Sequence, residues 1–256
     1  MAATYKTEGV ILKRWDYREK DTMIRVLSRD FGKITARAIS SKKITSKLAG
    51  HLEPFIVADL FFAKSKTIDI VAGSQTIVSN ERLRTSLAHM GAGQYIAEIV
   101  DRLTDDRESD PLLFEYVVGI FEMLAQQEQV NVLSVYAAVV QIFEYLGYRF
   151  ELSACHACKR EVAEFAGAAS EGAMKLHHDL RAVECGNCRS IEQVRELSAD
   201  ALRVMRFLQD QSFDDVLRLR VTDGVWQEID LLVRSIISYQ LGRVPVSEPV
   251  FLELLV

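Results

Sequence analysis

The chain has 256 residues, 49% hydrophobic and 26% charged, with 31 Lys and Arg against 36 Asp and Glu for a formal charge of −5. That balance excludes wholesale disorder and leaves room for one to three domains around a sizeable core. The charge is uneven: residues 1–80 hold 14 Lys and Arg against 8 Asp and Glu, a net +6, while residues 81–256 hold 17 against 28, a net −11. Such asymmetry points to a polyanionic partner, which the overall acidity alone would argue against.

Lys6 and Glu8 interrupt the start of the chain, so no secretory signal is expected. The uncharged stretch between Glu128 and Glu144 contains Gln129, Asn131, Ser134 and Gln141, too short and too polar to span a bilayer. A soluble cytoplasmic protein without a membrane partner is expected.

Residues 8–76 read as β-structure, with strands over Gly9–Tyr17, Thr22–Ser28, Lys33–Ser40, Pro54–Phe62 and Thr67–Ile77. β-Branched and aromatic enrichment and period-2 alternation carry this reading. Arg29-Asp-Phe-Gly32 is a turn signal that predicts a hairpin between the second and third strands. Five short strands with a longer link after the third fit a closed OB-type barrel, though strand count alone leaves an SH3-like barrel open. Alternation puts Ile34, Ala36 and Ala38 on one face of the third strand and Lys33, Thr35 and Arg37 on the other, with Lys13, Trp15 and Tyr17 sharing a face of the first. The following link adds Lys42, Lys43 and Lys47. Lysines screen phosphates, and Trp15, Tyr17 and Phe31 would offer bases a stacking surface. The alternative is that these aromatics cap the core and the lysines only solvate a surface. Taken as a cluster, they favour nucleic-acid binding.

From Asn80 the period changes to that of helices, over 81–103, 110–127 and 130–148. Val132, Val135, Tyr136, Val139, Phe143 and Leu146 form one apolar stripe. Asp110-Pro111 reads as an N-cap with proline at the first helical position, and Gly147 as a helix end. A further helix is expected over Ser198–Ser212, capped by Ser198. Another carries Ile229, Leu232, Val233 and Ile236 and stops near Gly242 and Pro245. These stripes predict a helical core that serves as scaffold or docking surface.

Cys155-His-Ala-Cys158 and Cys185-Gly-Asn-Cys188, separated by 26 residues, are the most specific signal. Two CxxC knuckles can close a tetrahedron of thiolates with no open position, which predicts one structural Zn2+. An iron–sulfur centre, a redox pair, or a site using His156, His177 or His178 in place of one thiolate are the alternatives. Little else in 151–195 is periodic, so the metal is expected to hold this insert together. His51-Leu-Glu53 resembles the HxE of zinc deaminases, but the nearest CxxC begins 104 residues later and follows Ala154 where proline is required. No nucleotide-binding glycine loop, nucleophile elbow or HExxH is present, so no catalytic residue is assigned and an enzyme is not expected.

The segments Glu8-Gly-Val-Ile-Leu-Lys, Glu19-Lys-Asp-Thr-Met-Ile-Arg-Val-Leu-Ser, Phe31-Gly-Lys-Ile, Gly50-His-Leu-Glu-Pro-Phe55 and Pro249-Val-Phe-Leu-Glu-Leu together resemble the bacterial RecO family. The order of parts agrees along essentially the whole chain. The resemblance implies a multidomain α+β protein, with an N-terminal OB-fold barrel followed by a helical domain carrying a four-cysteine zinc insert. The expected boundaries are 1–79 for the barrel, 80–150 and 196–256 for the helical domain, and 151–195 for the insert. It also implies a nucleoid-associated recombination mediator in DNA repair, one that binds single- and double-stranded DNA and anneals complementary strands. Its partners would be RecR, the C-terminal tail of single-stranded DNA-binding protein and, indirectly, RecA. Carried over, the metal ligands are Cys155, Cys158, Cys185 and Cys188. The DNA-binding positions are Lys13, Arg14, Trp15, Arg25, Lys33, Arg37, Lys42, Lys43 and Lys47. Arg82, Arg84, Arg102 and Arg107 would supply a basic patch for the partner's tail. An RNA-binding OB protein and an interaction scaffold without DNA affinity are the competing expectations.

Overall fold

The structure, a computed structural model, describes residues 3–43, 46, 48–165, 174–177, 181–188 and 194–256. Five strands, β1 (Thr4–Tyr17), β2 (Asp21–Ser28), β3 (Gly32–Ala38), β4 (Val57–Ala63) and β5 (Asp69–Val78), close into a barrel in the order β1-β2-β3-β5-β4. β1 pairs antiparallel with both β2 and β4, and a short parallel contact, Ala36 with Asp69 and Arg37 with Ile70, closes β3 on β5. That order is the OB one and decides against the SH3-like alternative. β1 begins at Thr4, earlier than alternation indicates, because its first residues pair with β4 while their side chains stay half-exposed. Pairing, not burial, makes that half of the strand. Ile11, Ile24, Val26, Ile34, Ala36, Leu60 and Phe62 fill the interior, and each large aliphatic or aromatic side chain contributes about 1.5–3 kcal/mol by leaving water. The β2–β3 turn is held by Gly32 at φ 62°, where a Cβ would come within 2.0 Å of the Glu108 carbonyl oxygen. Only glycine fits there.

By contacts the described chain forms two compact units, residues 1–130 with 246–256, and 131–245. In the first, the barrel is joined by α1 (Arg82–Thr85), α2 (Leu87–Leu103) and α3 (Pro111–Gln126). Asp110 caps α3 by accepting the Leu113 N–H at 2.9 Å, with Pro111 at the first position. In the second unit, α4 (Val132–Tyr145) is buried along most of its length and ends before Gly147, whose φ is 85°. After it come α5 (Val162–Phe165) and a small antiparallel sheet in the order β7-β6-β8, from β6 (Met174–His177), β7 (Ala182–Glu184) and β8 (Val194–Leu197). Strands of three and four residues are too short to show a period, so the sequence gives no sign of this sheet. Then come α6 (Ala199–Asp210), α7 (Phe213–Arg218) and α8 (Asp223–Leu241). Ser198 caps α6 as expected, whereas Ser212 is the N-cap of α7, not the end of α6. α8 stops at Gly242 in the left-handed conformation. The last helix, α9 (Glu248–Leu255), returns to the first unit and packs on α2, with Phe251 stacked on Tyr95 at 4.3 Å. No helix among the described residues is long and apolar enough to cross a membrane.

Candidate nucleic-acid interface and metal centre

The predicted basic residues of the barrel separate into two groups. At the far end of β1, Lys13 is exposed with its ammonium 5.9 Å from the Trp15 ring centre, and the Arg18 and Arg37 guanidiniums lie 5.4 and 5.3 Å from that of Tyr17. Cross-strand register aligns Trp15 with Met23 and Met23 with Arg37, so Trp15 and Arg37 stand on one side of the barrel across the buried Met23. Exposed Lys42 and Lys43 follow β3, and Lys42 pairs with Asp16 at 2.7 Å. Arg37 is also held by Asp21 at 2.9 Å through Nε. The Arg37 hydrogen bond and the Ser40 N–H, the larger influence of the two, hold the Asp21 carboxyl below its ordinary value. Lys47 lies outside the described residues.

Two of the predicted cations are not on that open face. Lys33 is only 7% exposed, and its ammonium donates to the carbonyls of Asp101 and Thr104, the latter at 2.6 Å, with the Asp101 carboxylate at 3.3 Å. Arg25 spans Asp101 at 3.3 Å and Asp106 at 2.8 Å. Both fasten the barrel to the end of α2 and are withdrawn from solvent ligands. Arg14 pairs with Glu53, and Phe31 packs on the barrel core beside Tyr5, far along β1 from Trp15 and Tyr17. His51 meets the Thr76 hydroxyl at 2.8 Å, and Glu53 is taken by Arg14, so the two side chains of the HxE pair are turned to other partners.

The four arginines expected to form a partner patch are each engaged within the fold. Arg82 donates to the Gln127 carbonyl at 2.7 Å, and Arg84 to those of Ser79 and Pro54. Arg102 lies 3.7 Å from Glu98, and Arg107 is bound to Asp69 and Tyr5. Each secures a local backbone or carboxylate. Alternation marked Lys13 and Arg37, and the lysine content of the link after β3 marked Lys42 and Lys43, whereas Arg18 and Lys20 stand in a turn, where periodicity says nothing about direction.

The cysteine prediction is met in space. The sulfurs of Cys155, Cys158, Cys185 and Cys188 all lie within 4.8 Å of one another, with separations of 3.9 Å for 155–188, 3.8 Å for 158–185 and 3.5 Å for 185–188. A tetrahedron with metal–sulfur bonds of about 2.3 Å has edges of about 3.8 Å. The first knuckle is a hairpin bridged by Ala154 and Glu161, with Lys159 taking the left-handed turn at φ 64°. The second follows β7, and the Cys185 N–H points to the Cys155 sulfur at 3.4 Å. Arg160 donates to Cys185 Sγ at 3.4 Å. The Arg160 backbone N–H, its guanidinium and Cys155 draw the Cys158 thiol down to about 6, while burial and the three neighbouring sulfurs push Cys188 up. Four sulfurs this close cannot all ionise without a cation, which is what a soft divalent metal supplies. His177 is turned to Glu184 at 2.9 Å and is not part of the cluster. His178 lies outside the described residues.

Comparison with known proteins agrees with this arrangement. The model described as Recombination protein O N terminal matches residues 1–79, and that described as Recombination protein O C terminal matches 84–248. The chain is similar to the DNA repair protein RecO of Roseiflexus sp., with 30% identity over 247 residues covering 95% of this chain and 83% of that one. It is similar to the same-named protein of Dehalococcoides mccartyi, 27% identical over 241 residues and covering 94% and 92% of the two chains. With that of Bacillus subtilis it shares 28% identity over 160 residues, 62% of each.

Proposed function

The chain belongs to the recombination protein O family, whose role is in DNA repair and recombination, and from that premise we propose that it is a non-enzymatic mediator that binds single- and double-stranded DNA and anneals complementary strands. The observation that supports this most is the open face at the end of β1, where Lys13, Arg18 and Arg37 sit over Trp15 and Tyr17 beside Lys42 and Lys43. Annealing requires phosphates to be screened while bases stay free to pair. Cations on long, mobile side chains do the first without sequestering every base, and aromatic faces hold a strand without reading its sequence. Binding is therefore sequence-independent and salt-sensitive.

In this reading the protein is cytoplasmic and associates with the nucleoid. It acts with RecR to load RecA on single strands coated by single-stranded DNA-binding protein, whose acidic tail it meets outside the barrel face. Cys155, Cys158, Cys185 and Cys188 hold one Zn2+ whose part is structural, because four thiolates leave no coordination position for substrate. The testing experiment is annealing of complementary strands without ATP, with and without single-stranded DNA-binding protein. Full-length protein should accelerate pairing, and Lys13→Glu with Lys43→Glu should slow it. No acceleration would remove the proposal.

A further inference from the structure

At the opposite end of β1 from this face, the barrel carries a cavity of about 370 Å3 lined by Asp30, Phe31, Lys64, Ser65, Asp69 and Arg107. Phe31 is the aromatic face of its lining and is backed by the rings beneath it: Phe31 meets Tyr5 edge-on at 4.7 Å between ring centres, and Tyr5 stacks on Phe62 at 5.1 Å. Its polar framework is set in advance. Tyr5 donates to Asp69 Oδ2 at 2.5 Å, Arg107 donates to Tyr5 Oη at 3.0 Å and pairs with Asp69, and the Ser65 N–H reaches Asp69 Oδ1 at 3.3 Å. Burial and the Asp69 bond push the Tyr5 phenol up to about 12, so it stays a donor. Asp69 is 5% exposed and fully met by these partners. Arg107 holds a left-handed backbone, φ 65°, fixed by its N–H on the Lys33 carbonyl at 3.0 Å. A strained residue pinned at the edge of a cavity is a sign of pre-organisation.

What this framework leaves unspent defines the ligand. Lys64 is exposed, 5.8 Å from the Tyr5 ring centre, and has no carboxylate partner among the described residues. The Arg107 side chain, 46% exposed, keeps N–H groups beyond the two that bind Asp69 and Tyr5. Phe31 is half-buried and lines the space, and Asp30 spends Oδ2 on the Thr7 hydroxyl at 2.7 Å. Two cations against two carboxylates give a bare anion little net attraction. A ligand with both an anionic group and a flat ring uses every part of the site.

We propose that this cavity takes one phosphate-bearing nucleotide, its phosphate on Lys64 and the free edge of Arg107, its base on Phe31, with Asp30 accepting from a base or sugar donor. An internal nucleotide would bring a second phosphate near Asp30, so the source is a free mononucleotide or the phosphorylated end of a strand. Only the second source rests on the DNA-binding reading.

The full chain is titrated calorimetrically with deoxyadenosine monophosphate and with inorganic phosphate, then with matched short strands ending in a phosphate or in a hydroxyl. The mononucleotide should bind and phosphate alone should not, and the phosphate-ended strand should bind about tenfold tighter than its twin, the effect of one added stacking-and-charge contact. Lys64→Glu, a surface change, should abolish mononucleotide binding and the end preference while sparing the hydroxyl-ended strand. Phe31→Leu, which keeps the packing and removes the ring, should do the same. Mononucleotide binding without end preference assigns the free nucleotide as the source. Mononucleotide binding with no strand binding at all upholds the cavity and sinks the DNA-binding reading. Absence of both mononucleotide binding and end preference overturns the inference, as does a Lys64→Glu protein weakened equally toward all strands.

Discussion

Lys33 stands on the solvent face of its strand and still never meets solvent, because the carbonyls at the end of α2 close over it. A cation at a helix C-terminus satisfies orphan carbonyls and the local dipole together. Removing it leaves those acceptors and the Asp101 carboxylate buried beside an apolar group. Lys33→Met should therefore cost about 2–3 kcal/mol of stability, read as a shift in the urea midpoint, with little effect on DNA affinity. Lys43→Glu should do the reverse. A Lys33→Met protein of native stability with weakened DNA binding would return Lys33 to the interface. Glu98 permits a pH test. Burial opposes its charge, but the Ser247 hydroxyl, the N–H groups of Val246 and Ser247 and the Arg102 guanidinium outweigh it, so its carboxyl sits below the ordinary 4.5. A group depressed on folding stabilises fully above its unfolded value and loses that contribution as pH falls through its folded value. Amide protection of α9 should thus fall below pH 4.5, and Glu98→Gln should flatten that fall. An unchanged acid limb in the variant would show that another carboxyl anchors α9.

Among the elements, the small β7-β6-β8 sheet depends most on something outside itself. Its strands are three or four residues long, and β7 leads directly into Cys185. An isolated sheet of this size is marginal in water, and the Zn2+ proposed for the four cysteines would supply the missing stability. Chelation should strip amide protection from β6, β7 and β8 while β1 to β5 keep theirs, and Arg160→Ala should release zinc about tenfold faster by loosening the hydrogen bond to Cys185. Equal loss across the barrel, or no loss anywhere, would refute a local structural role. The contrast between sheet and barrel also explains what was legible in the sequence. β2 and β3 and the long helices α3 and α4 announce themselves by period and by Asp110-Pro111, Gly32 and Gly147, since burial of a repeated face is what period records. The cysteine cluster was equally plain, because CxxC constrains geometry locally. The fate of Lys33, Arg25 and the four arginines was not, because alternation gives the direction of a side chain and not what is later packed over it.

At the level of the whole molecule, the +6 of residues 1–80 does not survive as a field. The barrel's own unit, residues 1–130 with 246–256, holds 18 Lys and Arg against 20 Asp and Glu, a net −2, and residues 131–245 hold 13 against 16, a net −3. Acids from the helices neutralise barrel cations one by one: Asp101 and Asp106 on Arg25 and Lys33, Glu115 on Arg29. Among the described residues of the barrel, Lys13, Arg18, Lys20, Lys43, Lys64 and Lys66 have no carboxylate partner, and setting aside Lys64 and Lys66 beside the cavity leaves four on the face at the end of β1, against the 14 cations of the segment. Salt dependence counts the cations that actually displace counterions, at about 0.7 per phosphate neutralised on a single strand. If all 14 acted, the logarithm of affinity would fall against that of salt with a slope of about −10. The four unpaired cations of the face give about −3. We expect the shallower value in a salt titration of single-strand binding. Lys42 and Arg37, already paired with Asp16 and Asp21, should contribute less to it than Lys43, because part of their charge is offset before DNA arrives. A slope near −10 would mean that DNA breaks the internal pairs on binding, and that the barrel opens its buried cations to the phosphates.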